Sequence, residues 1–279
     1  MHYKTDYHIH TTYSDGKASP EEYIEPAIAA GISEIGFSEH LALFKDNQDW
    51  VMNPQNVGTY LAYLDNLKSK TDKLIIRKGL EVDYLEGKEY ETGVFLDGFD
   101  LDYRIGSVHY LGERTVDEGL DFYTGKNFDR LFESYFEMVR NAVASGLFDI
   151  IGHFDLIRIF GYKPSFDPEP FYRKLAKTMK QYDVAFEINT NGRNRPMGDF
   201  YPDRRFLHYF SEEKVPVCVN SDAHIPSRVG QYFDEAYRLL KDTVLPVWLP
   251  SAGANGDQSA YKFLKLQICV QEKFSGQLL

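Results

Sequence analysis

The chain has 279 residues, 43% of them hydrophobic, and a formal net charge of −11. That length buries a large core and fits one α/β barrel or two smaller domains, while the acidic balance argues against nucleic acid, whose phosphates want a basic surface. No stretch approaches the roughly 20 apolar residues of a membrane span; the N-terminal MHYKTDYHIH has no apolar signal region, and the two cysteines, Cys218 and Cys269, suggest no disulfide framework, so a cytoplasmic location is expected.

The first element, Asp6-Tyr7-His8-Ile9-His10, reads as a short strand. Its two histidines stand two residues apart, on one face, and together form half of a metal site. Asp15 follows in a polar loop. A helix is expected over about 20–30, with Ser19 as N-cap, Pro20 at its first position and Gly31 as its stop. The strand Glu34 to Ser38 ends at Glu39-His40. A helix over about 54–71 precedes a strand from Lys73 to Val82, with Glu81 and Asp83 near its end. Arg104 to Val108 forms a strand ending at His109. Residues 111–126 are polar and glycine-containing, and are expected to be a loop or lid. A long helix over about 127–145 stops at Gly146. The strand Phe148 to Ile151 ends at His153. Helices over about 168–181, 203–213 and 231–241 alternate with strands Val184 to Ile188 and Val215 to Val219, and the latter ends at Ser221-Asp222-Ala223-His224.

Repeated strand–helix units imply parallel strands covered by helices, and about seven units suggest closure into a barrel. One domain is the simplest account: residues 1–242 form the barrel, and 243–279 a tail of the same domain. Within that tail Ser251 to Ser259 is turn-rich, and Tyr261 to Phe274 fits an amphipathic helix.

Metal-type residues recur at the C-terminal ends of the expected strands. They are His8, His10, His40, Glu81, His109, His153, Asp222 and His224, with Asp15 in the first loop; of eight histidines only His2 and His208 lie elsewhere. Each alone reads better as a hydrogen-bonded core histidine or a paired strand-end charge than as a ligand. Together they would converge on one rim of a (β/α) barrel, where active sites sit. Nine donors exceed one ion's needs, and mixed histidine–carboxylate sites suit Zn, Mn or Fe, so two to three divalent ions sharing carboxylates are expected. Clustered metals point to phosphate-ester hydrolysis, with a bridging hydroxide attacking in line.

The segments DYHIHTTYSDG with GFSEH, GLEVDY, GSVHYL, IGHFDL and VNSDAH resemble, in order and spacing, the motifs of the polymerase and histidinol phosphatase (PHP) superfamily over about residues 5–230. The combination of GSVHYL, IGHFDLIRIFG, EINTNGRNRPMGDFYP and SDAHIPSRVG is most similar to histidinol-phosphatases. This resemblance implies a distorted (β/α)7 TIM-like barrel with a trinuclear metal centre. It implies His8, His10, Glu81 and Asp222 around a first ion, Glu81, His109 and His153 around a second, and Asp15, His40 and His224 around a third. It also implies that Arg158 and Arg195 bind substrate phosphate, guanidinium forks being suited to phosphate oxygens, although Arg193 competes with Arg195 for the role.

The activity expected is hydrolysis of L-histidinol phosphate, with Asp222, His224 or a metal-bound water supplying the proton to the leaving alkoxide. Asp155, Asp199, Phe160 and Tyr162 are candidates to meet the cationic histidinol moiety. The alternatives are a nucleotide phosphatase or 3′–5′ nuclease of the same superfamily, and a metal-stabilised binding module without activity. The expected partner is a small phosphate ester, not nucleic acid or a membrane, with a second copy of the chain as a further candidate.

Overall fold

The computed structural model describes residues 4–45 and 48–243. In chain order the elements run β1 (Lys4–Asp6), α1 (Ile24–Ala29), β2 (Ile32–Leu41), α2 (Val57–Lys70), β3 (Ile75–Asp83), α3 (Glu89–Leu96) and β4 (Tyr103–Ser107). A hairpin of β5 (Tyr110–Leu111) and β6 (Arg114–Thr115) follows, then α4 (Phe128–Ala144), β7 (Ile150–Ile151), α5 (Glu169–Tyr182), β8 (Ala185–Asn189), α6 (Leu207–Glu212), β9 (Val217–Asn220) and α7 (Phe233–Thr243). Seven strands pair in the order β1-β2-β3-β4-β7-β8-β9, every pair parallel. Beyond β9 the chain returns beside the segment that follows β1: Ile9 bridges Ala223, and Tyr7 N donates to Asn220 Oδ1 at 2.9 Å. The expected distorted (β/α)7 barrel is therefore observed.

Strand side chains alternate between two cores, as the two-residue period of a strand requires. Ile151, Phe186, Val217 and Val219 face the helix layer, whereas Tyr7, Tyr103, Ile105, Ile150, Ala185 and Cys218 form a separate cluster inside the barrel. Tyr103 fills the middle of that interior. Its hydroxyl donates to Tyr7 O at 2.6 Å and Phe37 O at 3.2 Å. A Cβ at Gly79 would stand 2.2 Å from the Tyr103 ring, so the strand carries glycine where that ring crosses it.

The helices follow from their patterns. In α4 Phe132, Tyr135, Phe136, Val139, Ala142 and Val143 are buried at three- and four-residue spacing, and Asn127 caps the first turn by accepting from Arg130 N at 3.1 Å. Gly31 and Gly146, the expected stops, both adopt φ 71° just past α1 and α4. Among the described residues no helix is long and apolar enough to cross a membrane.

The structure departs from the sequence expectations in several places, and the helices expected over about 20–30 and 54–71 each open with a 3-10 turn, Pro20–Tyr23 and Pro54–Asn56. The ladder of β1 ends at Asp6, because residues beyond it turn to pair with the chain after β9. Helix α3, unexpected, occupies Glu89–Leu96 and buries only Thr92 and Leu96, too little for a clear apolar stripe. The segment 111–126 is a packed hairpin and helical turn with Val116 and Phe122 fully buried, tied by Arg114 to Glu118 and Asp121, and not an open loop. The helix expected over 203–213 is α6 preceded by a 3-10 turn at Arg204–Phe206. The expected tail beyond Thr243 lies outside the described residues.

Candidate metal centre

The donors arrive from every part of the sheet but share one end of it. Parallel register sets His40 on β2 directly opposite Glu81 on β3, and β4, β7 and β9 end two residues before His109, His153 and Asp222 respectively. His8 and His10 follow β1. Glu39 positions the loop that bears Asp15: it accepts from Thr11 N at 3.1 and 3.0 Å and from Thr11 Oγ1 at 2.6 Å. Gly16 is required there, since a Cβ would stand 2.2 Å from His10 O. Asp222 adopts φ 48°, a left-handed conformation that Asp tolerates better than most residues and that is common at functional sites.

Glu81 is the hub. Its Oε2 stands 3.1 Å from His8 Nε2, 3.4 Å from His10 Nε2 and 2.6 Å from His40 Nδ1. Its Oε1 stands 2.9 Å from His153 Nε2, 3.7 Å from His109 Nε2, and accepts from Ser107 Oγ at 2.6 Å. Asp222 Oδ1 lies 3.4 Å from His10 Nε2 and 3.8 Å from His8 Nε2. Asp15 Oδ1 lies 3.2 Å from His224 Nε2 and 3.7 Å from His40 Nε2. Donors about 2.1 Å from a shared tetrahedral ion stand roughly 3.4 Å apart, and most of these separations fall near that value.

Many of the atoms are buried yet make no hydrogen bond within the protein: His8 Nε2, both ring nitrogens of His10, Asp15 Oδ1, His40 Nδ1, Glu81 Oε2 and His153 Nδ1. Buried polar atoms are normally satisfied, and a cluster of lone-pair donors left without hydrogen-bond partners fits cations between them. The donors form four overlapping groups: His10, Asp15, His40 and His224; His8, Glu81 and His153; His8, His10 and Asp222; His40, Glu81 and His109. All nine sequence-expected donors are thus brought together, and the groups overlap at His8, His10, His40 and Glu81, whereas the expected shells overlapped at Glu81 alone.

Charge follows the geometry. Burial pushes Glu81 up, but His8, His40 and His109 and the His153 hydrogen bond outweigh it and hold its carboxyl well below the usual range. Asp222 is held low against burial by His8, His10 and His224. Burial and the neighbouring His40 and His224 depress His10. Burial also opposes a charged His8, yet Glu187, Glu81 and Asp222 raise its pKa well above the ordinary value. His109 is raised to about 10 despite burial, chiefly by Asp83.

A second layer fixes the imidazoles. His8 Nδ1 lies 2.9 Å from Glu187 Oε2 and His109 Nδ1 lies 3.0 Å from Asp83 Oδ1, so each ring donates from Nδ1 and offers Nε2 inward. Glu187 also accepts from His153 N, Asn189 Nδ2 and Asn220 Nδ2. Asn189 and Asn191 each donate to Asp222 Oδ2 at 3.2 Å. The sequence puts Asp83 near a strand end and Glu187 within the strand Val184 to Ile188, but shows the partners of neither. Trp50, which no motif signals, packs edge-on against His40 and His109 with ring centroids 4.9 and 5.4 Å away.

The arginines are placed differently from one another. Arg158 is nearly buried; its Nη1 meets Asp155 Oδ2 at 2.9 Å and Asp203 Oδ2 at 3.3 Å, while Nη2 meets only the Met197 thioether at 3.5 Å. Arg195 is exposed, and its charge acts on the buried Tyr201 hydroxyl. Arg193 is engaged by Glu235 and by Gly198 O at 2.9 Å. Of the residues considered for the histidinol moiety, Asp155 is fully buried and holds Arg158, Tyr172 and Asp203, and Asp199 pairs with Arg204. A cavity of about 660 Å³ opens beside Arg158, lined also by Tyr162, Met197 and Asp199, and none of the nine donors lines it.

Comparison with known proteins places this geometry in a family. The chain is 33% identical over 243 residues to a probable histidinol-phosphatase of Deinococcus radiodurans, covering 85% of this chain and 92% of that one. It is 28% identical over 260 residues to the histidinol-phosphatase of Bacillus subtilis, covering 83% and 97%. The crystal structure of histidinol phosphate phosphatase from Lactococcus lactis, complexed with Zn, L-histidinol and phosphate, superposes with a TM-score of 0.76 at 25% identity, covering 88% of this chain and 96% of that one. The PHP domain matches residues 6–191, from β1 past the end of β8, and the chain belongs to the PHP domain family.

Proposed function

We propose that the chain is a metal-dependent phosphomonoesterase that converts L-histidinol phosphate and water to L-histidinol and phosphate, a step of histidine synthesis. The observation that carries this reading is the gathering of nine histidine and carboxylate donors around Glu81 at the separations of ligands sharing ions. The relatives supply the ester: the similar L. lactis protein holds zinc, L-histidinol and phosphate together. Divalent ions at such a centre supply Lewis acidity toward phosphoryl oxygens and lower the pKa of water.

In this proposal His8, His10, Asp15, His40, Glu81, His109, His153, Asp222 and His224 hold two to three ions of Zn, Mn or Fe. Glu187 and Asp83 keep Nε2 of His8 and His109 turned inward. Arg158 and Arg195 bind the phosphate. Arg158 is pre-oriented by Asp155 and Asp203, with Nη2 left to meet an oxygen in place of the weak thioether acceptor. Of Asp222 and His224, His224 is the better placed to pass a proton to the leaving alkoxide, because its side chain is the more exposed, 23% against 10%, and Asp222 is held ionised against burial by its histidine neighbours. The enzyme acts in the cytoplasm on a small ester, and neither nucleic acid nor a membrane is its partner.

The test is a panel of phosphate esters offered to protein loaded with Zn, Mn or Fe. L-histidinol phosphate is expected to show the highest kcat/KM, above nucleotides and simple alkyl phosphates. Turnover mainly of phosphodiesters or single-stranded DNA would sink the reading.

A further inference from the structure

Tyr201 is 2% exposed, and its hydroxyl makes no hydrogen bond within the protein. A buried phenol normally finds a partner, so its isolation needs a reason. The backbone does not let the residue drift. Tyr201 N donates to Asn189 O at 3.1 Å and Asn189 N donates to Tyr201 O at 2.8 Å, which pins it to the C-terminal end of β8. Asn189 in turn donates through Nδ2 to Glu187 and Asp222. The ring lies edge-on to His153, centroids 6.2 Å apart. Burial pushes the Tyr201 hydroxyl far above its ordinary pKa; Arg195 and Arg158 pull against that, and Asp155 and Asp222 add to it. The phenol is therefore neutral and retains its proton. Its ring borders the donor cluster at His153, and its backbone is held by Asn189, which contacts Asp222.

We propose that the Tyr201 hydroxyl donates a hydrogen bond directly to the phosphoryl group of the substrate, at the edge of the donor cluster that its ring borders. The assignment rests on reading the site as a phosphoesterase. It adds a neutral donor to a pocket otherwise made of full charges. Phosphate supplies the acceptor that the protein withholds from this hydroxyl.

The test uses inorganic phosphate on the metal-loaded full chain, with Tyr201→Phe, which removes only the hydroxyl. A hydrogen bond to a charged acceptor contributes enough that phosphate affinity, read by calorimetry, is expected to fall about tenfold or more. Metal content and Tm are expected to match the unsubstituted protein. An affinity within about twofold of that protein overturns the proposal, and so does loss of bound metal in the variant, because either result makes the hydroxyl structural. If the variant does not accumulate folded, fluorotyrosine placed at 201 alone carries the test: phosphate must shift its ¹⁹F resonance, and an unmoved resonance overturns the proposal. Phosphate binding is measured without turnover. Failure on L-histidinol phosphate with Tyr201-dependent phosphate binding therefore counts against the substrate, and intact turnover with Tyr201-independent phosphate binding counts against Tyr201.

Discussion

At the residue scale the centre is a problem in compensation. Glu187 accepts from His8 Nδ1, His153 N, Asn189 Nδ2 and Asn220 Nδ2, four donors on one carboxylate. Glu187→Gln keeps the shape but puts an NH2 group where a donor already points. The expected result is a 10- to 100-fold loss of metal affinity or activity, the usual cost of an altered outer partner, checked by kcat beside metal analysis; unchanged values would remove Glu187 from the account. His109 supplies a pH prediction. Its raised pKa, about 10 against an ordinary 6.5, means that the metal-free folded protein binds its proton more tightly than the unfolded chain. Its stabilising contribution is full below pH 6.5 and disappears as pH rises through about 10. A cation needs the neutral ring, so metal binding near pH 7 must displace that proton. Calorimetric titrations in buffers of different ionisation enthalpy are expected to show net proton release, and metal affinity should rise with pH. Buffer-independent heats would contradict this.

At the scale of elements, strands act as rulers. The β2–β3 register puts His40 opposite Glu81, and the β3–β4 register puts Asp83 opposite Ser107, so a shift of one residue would turn both donor faces away. The ruler is held by the interior packing below it. Gly79→Ala would push a methyl into the Tyr103 ring and, with backbone on both sides, is expected to destabilise by about 1–3 kcal/mol, as overpacking does. Denaturant unfolding measures it, and a neutral result would show that Tyr103 is free to move. Strands and long helices were legible in the sequence because apolar period and end signals are local. Helix α3 was not, because it buries only two side chains. The packing of residues 111–126 was not either, because Val116 and Phe122 find their core through contacts remote in sequence.

At the scale of the whole molecule, the barrel gathers buried carboxylates and imidazoles, several of whose donor atoms find no hydrogen-bond partner within the protein, and cations between them would satisfy those atoms. Removing metal from the loaded protein with a chelator should therefore lower Tm. Ions present at about 1,000 times their Kd stabilise by about 4 kcal/mol through mass action alone. Scanning calorimetry with and without chelator checks this, and restored Tm and activity on adding metal back would close the cycle; an unchanged Tm would mean that the donors are held without ions.

The amino-acid sequence by itself determined the alternation of strands and helices, and hence a barrel. It also determined the chemical type of the nine donors, because eight sit at expected strand ends and Asp15 in the loop after the first, each flanked by a readable local pattern. Tertiary structure decided which donors share a space, since His8 meets Glu187 across 179 residues and Tyr7 meets Asn220 across 213. It decided that Arg193 is tied to Glu235 while Arg195 is left exposed. It also decided that Asp155 holds Arg158 and does not line the pocket, and that Tyr201 keeps an unpartnered hydroxyl. Period and spacing are properties of neighbours along the chain; partnership depends on where the closed sheet brings remote side chains, which no local pattern records.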